Sequence, residues 1–324
     1  MNRHTDLIAA THAYEQLRRD CKENRLKHAY AFVSADSDAL ETLAALFICT
    51  AEEGEVRESF CKRIYDGGFT DIVRLPRAEK NGKMDVEDAG YVTDTAYFTP
   101  TELRTKYYII APREPMSAAV QNKLLKTLEE PPSSARFVVF STGNDLLPTV
   151  ASRCSAVRLE EFTVQTIERA LTDEGYDETT ALFAAAAARG NIGTAERIAS
   201  DAQYRAAYET AMGYLLHVKR SPQILPAASG MLAAKESFPA VLDYFEIILR
   251  DIMAYHACGA EGVTLKPALT DIRTLARAFD TDTCLAILPR IYRARDRIRL
   301  YGNAASYIDE LLFSILEVKA KCLK

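Results

Sequence analysis

The chain has 324 residues, of which 48% are apolar and 26% charged, and its formal net charge is −5. This is a globular composition with too much chain for one ordinary core, so two or three domains are expected. The acidic balance excludes a chain-wide electrostatic grip on nucleic acid, and no apolar run is long enough for a membrane-spanning helix.

The N-terminus, Met1 to Thr5, leads into a polar helix rather than an apolar signal segment. Seven scattered Cys argue against a disulfide framework and for a reducing cytoplasm. Residues 5 to 26 read as one helix of mixed polarity, and His28 to Val33 as the first strand. A polar loop, Ser34 to Asp38, precedes a helix over Ala39 to Thr50 with Leu40, Leu43, Leu46 and Phe47 apolar. Asp71 to Leu75 is a hydrophobic strand, and a short helix near Asp85 to Tyr97 interrupts the polar connector that follows. Tyr107 to Ile110 is a buried strand that runs into Ala111 and Pro112.

Ser117 suits a helix N-cap, since its hydroxyl oxygen can accept from the free N–H groups of the first turn. Val120, Leu124, Leu125 and Leu128 then form one apolar face, with Lys123 and Lys126 turned away. Pro131 and Pro132 stop this helix. Phe137 to Thr142 is a strand covered on both faces, Asn144 to Pro148 a loop, and Ala156 to Leu159 the fifth strand. Strand-and-crossover units of this kind imply a parallel sheet with helices on both faces.

From Thr163 the pattern is helical to the end. Thr163 to Thr172 and the alanine-rich Glu178 to Arg189 are two helices; Gly190 to Gly193 breaks the pattern and Thr194 to Ser200 resumes it. Residues 205 to 324 read as about five helices of a bundle, with Leu242, Phe245, Ile248, Leu249 and Ile252 as an inward stripe. Arg290, Arg293, Arg295, Arg297 and Arg299 cluster with Tyr292 and Tyr301, but Asp296 and the acidic last helix favour a solvated face or intersubunit ion pairs over nucleic acid.

The run Asn122-Lys123-Leu124-Leu125-Lys126-Thr127-Leu128-Glu129-Glu130-Pro131-Pro132, followed by Ser152-Arg153-Cys154, resembles the clamp-loader branch of the AAA+ proteins. The resemblance implies an α/β parallel-sheet AAA+ core over residues 1–161, a small helical lid over 162–204 and an all-α collar over 205–324. It also implies that Arg153 reaches into the ATP site of a neighbouring subunit, with Ser152 and Cys154 shaping the turn that aims it.

Other stretches depart from the family. Its phosphate loop ends in Gly-Lys-Thr, because bare amides and a helix N-terminus face the phosphates while Lys adds charge and Thr holds magnesium. Alignment places Leu40 at the lysine and Glu41 at the threonine, and no glycine occurs between Val33 and Thr50. The acidic pair expected after the Tyr107–Ile110 strand is Ala111 and Pro112, with Glu114 two positions late. Gly193 stands where a catalytic subunit has a nucleotide-facing arginine. The family's zinc knuckle is reduced to Cys49 and Cys61, with Glu55 and Glu58 at the middle positions, so no zinc is expected and the segment reads as a hairpin held by packing.

No cofactor and no intrinsic catalysis are therefore expected. The implied role is that of a rigid stator working with gamma or tau and delta subunits to load a sliding clamp on primed DNA. The alternatives are an active gamma- or tau-like ATPase subunit and a scaffold without replication duty.

Overall fold

The structure, a computed structural model, describes residues 4–77, 80, 82–218, 221–224, 228, 238–301 and 304–322. It divides into two compact units: Met1–Phe162 with Asn191–Gly193, and Thr163–Gly190 with Thr194–Lys324.

The first unit is a five-stranded parallel sheet in the order β2-β3-β4-β1-β5, formed by β1 (Ala29–Val33), β2 (Ile72–Leu75), β3 (Lys106–Ile110), β4 (Ala135–Ser141) and β5 (Ser155–Arg158). The register places Ala29 beside Phe137, Tyr108 beside Phe137, and Tyr30 beside Ser155. Parallel strands need crossovers, and the helices that supply them cover both sheet faces. This is why β3 and β4 read as near-continuous apolar runs: Tyr107, Tyr108, Ile109, Ile110, Val138 and Val139 are fully buried. Each such side chain stabilises by roughly 1.5–3 kcal/mol on burial. Tyr108 stacks on Phe137 with ring centroids 5.4 Å apart, and Phe47 packs edge-on against Tyr30 at 5.1 Å.

The long N-terminal helix expected from the sequence is two helices, α1 (Thr5–Ala9) and α2 (His12–Lys22). Thr11 divides them: its hydroxyl accepts from the Tyr14 N–H at 3.3 Å and restarts the helix. Next comes α3 (Ser37–Glu53), closed by Gly54 at φ +81°. The segment expected as a hairpin is the helix α4 (Glu58–Tyr65), which buries Cys61 and Ile64 on one face. The period-3 spacing of those two residues outweighed the turn signals around them. The unit is completed by α5 (Val86–Thr95), α6 (Ala118–Glu129) and the short α7 (Pro148–Ala151). Ser117 caps α6 as expected, accepting from the Val120 N–H, and Val120, Leu124 and Leu128 join the core beneath β3 and β4.

The second unit is helical. Its first helices are α8 (Val164–Asp173) and α9 (Glu178–Ala187), followed by α10 (Ile192–Ser200) and α11 (Ala202–His217). Helix α10 restarts earlier than the glycines suggested, at Ile192, so Gly193 lies inside it rather than ahead of it. The reversal before it uses positive φ at Arg189 and Gly190. Beyond lie α12 (Phe238–Cys258), α13 (Leu269–Ala276), α14 (Thr281–Tyr301) and α15 (Ala304–Cys322). The stripe Leu242, Phe245, Ile248, Leu249 and Ile252 is buried, as are Ala181 and Ala184 to Ala188.

Three arginines of the basic cluster on α14 make contacts within the unit rather than intersubunit pairs. Arg295 pairs with Asp243 at 2.6 Å and with the buried Glu246 at 3.1 Å, Arg297 pairs with Glu310 at 2.9 Å, and Arg290 donates to the Ser314 carbonyl at 2.7 Å. The side chains of Arg299 and Tyr301 lie outside the described residues. Among the described residues no helix is long and apolar enough to cross a membrane.

Candidate functional site

In an all-parallel sheet the loops that leave the carboxyl ends of the strands share one edge, where open α/β sheets bind ligands. Here that edge carries Ser34–Asp36 after β1, Ala111–Met116 after β3 and Thr142–Leu147 after β4. It is also where a phosphate-binding loop would stand.

The position after β1 is already filled. Asp36 is only 4% exposed and caps α3: its Oδ1 accepts from the Ala39 N–H at 3.1 Å, and its Oδ2 from the Gly193 N–H at 2.8 Å. Backbone amides at a helix N-terminus are the groups that would otherwise cradle a phosphate. A carboxylate of the chain itself takes them. The packing is tight enough that a Cβ on Gly193 would come within 2.6 Å of Asp36 Oδ1 and 2.7 Å of Asp38 Cβ. No side chain, and so no arginine, fits at position 193 while Asp36 holds this place.

Leu40 is 1% exposed and part of the core, so it reaches no ligand. Glu41 is ion-paired with Arg74 of β2. Ala111 continues the ladder by donating to the Leu75 carbonyl at 2.7 Å, Pro112 follows it, and Glu114 is exposed. Of these five positions only Glu41 and Glu114 carry a carboxylate; that of Glu41 is taken by Arg74 and that of Glu114 lies at the surface.

Cys49 and Cys61 do come together. Both are buried, and the Cys61 thiol lies in hydrogen-bonding contact with the Cys49 sulfur. That contact holds the Cys49 thiol below its ordinary value, opposed by burial and helped by the Arg57 N–H at 3.2 Å. The Cys61 thiol is shifted upward by the same contact and by its burial. The other two positions of the set do not join them: Glu55 is exposed and paired with Arg57 at 3.3 Å, and Glu58 is exposed in the first turn of α4. Among the described residues no group of three His, Cys, Asp or Glu could hold a metal ion.

Ser152-Arg153-Cys154 follows α7. The Cys154 side chain packs on the core beneath β3 and β4, and burial pushes its thiol up to about 11. The Ser152 hydroxyl donates to the Thr149 carbonyl at 3.1 Å, which tightens the turn. Arg153 is half-exposed at 32% and is not part of the core. Its Nη1 donates to the Thr149 carbonyl at 2.7 Å, and its Nη2 pairs with the Glu129 carboxylate at the end of α6.

Two residues that place this turn were not singled out in the sequence. Gln121, 2% exposed, donates through Nε2 to the Met116 and Asp145 carbonyls at 3.0 and 2.9 Å, while its Oε1 accepts from the Leu147 N–H at 2.7 Å. It ties α6 to the loop that launches α7. Asp145 folds that loop on itself, taking the Ser141 hydroxyl and, at 3.1 Å, the Thr142 N–H. A polar residue at the edge of an apolar helix stripe was the available signal for Gln121. Nothing in the sequence foretold Glu129 as the partner of Arg153, because the pair spans 24 positions.

Residues 9–163 match the family described as DNA polymerase III, delta subunit. The chain is 30% identical over 203 residues to the tau/gamma subunit of Haemophilus influenzae, covering 58% of this chain and 29% of that one. Against the tau subunit of Bacillus subtilis the identity is 29% over 173 residues, covering 51% and 30%. The delta' subunit of Bacillus subtilis is 32% identical over 162 residues, covering 47% and 48%. The chain thus spans less than a third of the length of the tau relatives it matches. Among solved structures, a gamma subunit-related protein of Thermotoga maritima aligns over 95% of this chain and 99% of its own, with TM-score 0.46 and 16% identity. The matched segment contains β1 to β5, Asp36 and Arg153.

Proposed function

We propose that the chain is a clamp-loader subunit of the delta-prime kind, which binds no nucleotide of its own and lends Arg153 to the ATP held by an adjacent gamma or tau subunit. In this reading residues 1–161 are a degenerate AAA+ core, 162–204 its lid and 205–324 the collar that joins gamma, tau and delta partners. Together they load a sliding clamp at primed DNA. The observation that carries the reading is an asymmetry within one unit. Asp36 occupies the amides that would face a phosphate, whereas Arg153 stays at the surface with a guanidinium that no core contact consumes. A guanidinium aimed at a transferring phosphoryl group stabilises the charge that develops there.

The experiment has two arms. Calorimetry of the isolated chain with ATP and magnesium is expected to show no binding, and the chain mixed with gamma and delta subunits is expected to form a stable complex. In that complex Arg153→Ala leaves assembly intact and lowers DNA-stimulated ATP turnover. Micromolar ATP binding by the isolated chain would instead support the second reading, an active gamma- or tau-like subunit. That reading is favoured by one observation: the tau/gamma similarity extends over 203 residues against 162 for delta'.

A further inference from the structure

An arginine side chain is rich in rotamer entropy, and a group that acts at a distance loses it on every engagement unless it is already held. Arg153 is held from two elements. Its own turn supplies the Thr149 carbonyl at 2.7 Å, and the end of α6 supplies the Glu129 carboxylate, 24 positions earlier in the chain. Both anchors are themselves fixed. Thr149 lies in the body of α7, whose launching loop is tied down by Gln121. Glu129 closes α6, and the Glu130–Pro131–Pro132 stretch that follows fixes the chain's exit. These contacts hold both terminal nitrogens, Nη1 also reaching the Ser152 hydroxyl at 3.4 Å, while Nη2 meets a single carboxylate oxygen. Among the described residues nothing accepts from its Nε–H, and the side chain keeps a third of its surface exposed.

We propose that Glu129 is the positioning residue for Arg153: its carboxylate holds the guanidinium in one rotamer so that the unspent N–H groups are presented outward to a phosphate group. The carboxylate acts only through Arg153 and touches no nucleotide. A carboxylate suits this task better than a second backbone carbonyl, because a charge-assisted hydrogen bond to an ionised acceptor is shorter and stronger than one to a neutral carbonyl. The proposal rests on the reading of Arg153 given above.

The test uses the complex assembled from this chain with gamma and delta subunits, and follows ATP turnover with primed DNA and clamp. Exposed ion pairs of this sort are worth a few tenths to one kcal/mol, so Glu129→Ala is expected to lower kcat about two- to fivefold with the KM for ATP unchanged. Glu129→Gln, which keeps an oxygen acceptor, is expected to restore most of the loss. Combined with Arg153→Ala, the Glu129→Ala change should cost nothing further.

In the isolated chain, the Arg153 side-chain N–H resonance should be a single sharp line that broadens or moves in Glu129→Ala and is retained in Glu129→Gln. Turnover that stays at the wild-type value or rises in Glu129→Ala overturns the proposal, as does an equal loss in the Arg153→Ala background. If Arg153→Ala itself leaves turnover unchanged, the reading of Arg153 as a finger fails, and with it the ground for the proposal.

Discussion

Gln121→Leu is the sharpest probe of how the Arg153 turn is built. The wild-type side chain is 2% exposed and makes three hydrogen bonds, to the Met116 and Asp145 carbonyls and from the Leu147 N–H. At a net contribution of roughly 1 kcal/mol each, their loss costs about 3 kcal/mol. Leucine has nearly the same volume and gains about 1 kcal/mol from its buried apolar surface, leaving a net destabilisation of about 2 kcal/mol. For a unit the size of Met1–Phe162 this lowers the midpoint of thermal unfolding by roughly 4–8 °C. Scanning calorimetry of the full chain reads the shift, and hydrogen exchange locates it. The Leu147 amide, which loses its acceptor, should exchange faster, while amides in β3 stay protected. A midpoint shift under about 1 °C, or an unchanged Leu147 amide, would refute the reasoning, because it would mean that the loop stands without Gln121.

Two further outcomes follow from contacts elsewhere in the first unit. Gly193→Ala places a Cβ 2.6 Å from Asp36 Oδ1, so it should destabilise by about 1–3 kcal/mol in urea unfolding. Asp36→Ala costs about 1 kcal/mol through loss of the cap, and the double variant should be less damaging than the sum, since the smaller side chain removes the closest of the clashes and leaves the one with Asp38. Asp71 is buried, which by itself raises its pKa, but the N–H groups of Leu103, Glu102 and Thr101 more than offset this and hold the carboxyl below its ordinary value. Its folded pKa being depressed, its contribution is complete above the unfolded value of about 3.9 and is lost as pH falls from there through the folded value. Acid unfolding of Asp71→Asn should therefore show a shallower loss of stability below about pH 4 than the wild type does; equal slopes would count against this role for Asp71.

The elements themselves were written in local chemistry. Ser117 caps α6, Pro131 and Pro132 end it, and the unbroken apolar runs of β3 and β4 announce a sheet covered on both faces. Leu40 and Ala111 likewise declared, by residue type alone, that neither position carries an ammonium or a carboxylate. Local pattern failed where two signals competed. Thr11 divides a helix that periodicity ran together, and Cys61 and Ile64 turn a presumed hairpin into α4.

What only tertiary structure decided is which distant groups meet. The sequence could say that Gly193 is not an arginine; it could not say that Asp36, 157 positions away, takes the Gly193 amide and leaves no room for any side chain. Nor could it pair Arg153 with Glu129, or tie Leu147 to Gln121. Periodicity fixes the faces of helices and strands because it follows from backbone geometry repeated every few residues. Hydrogen bonds across tens of positions depend on how those elements are stacked, and no local repeat encodes them.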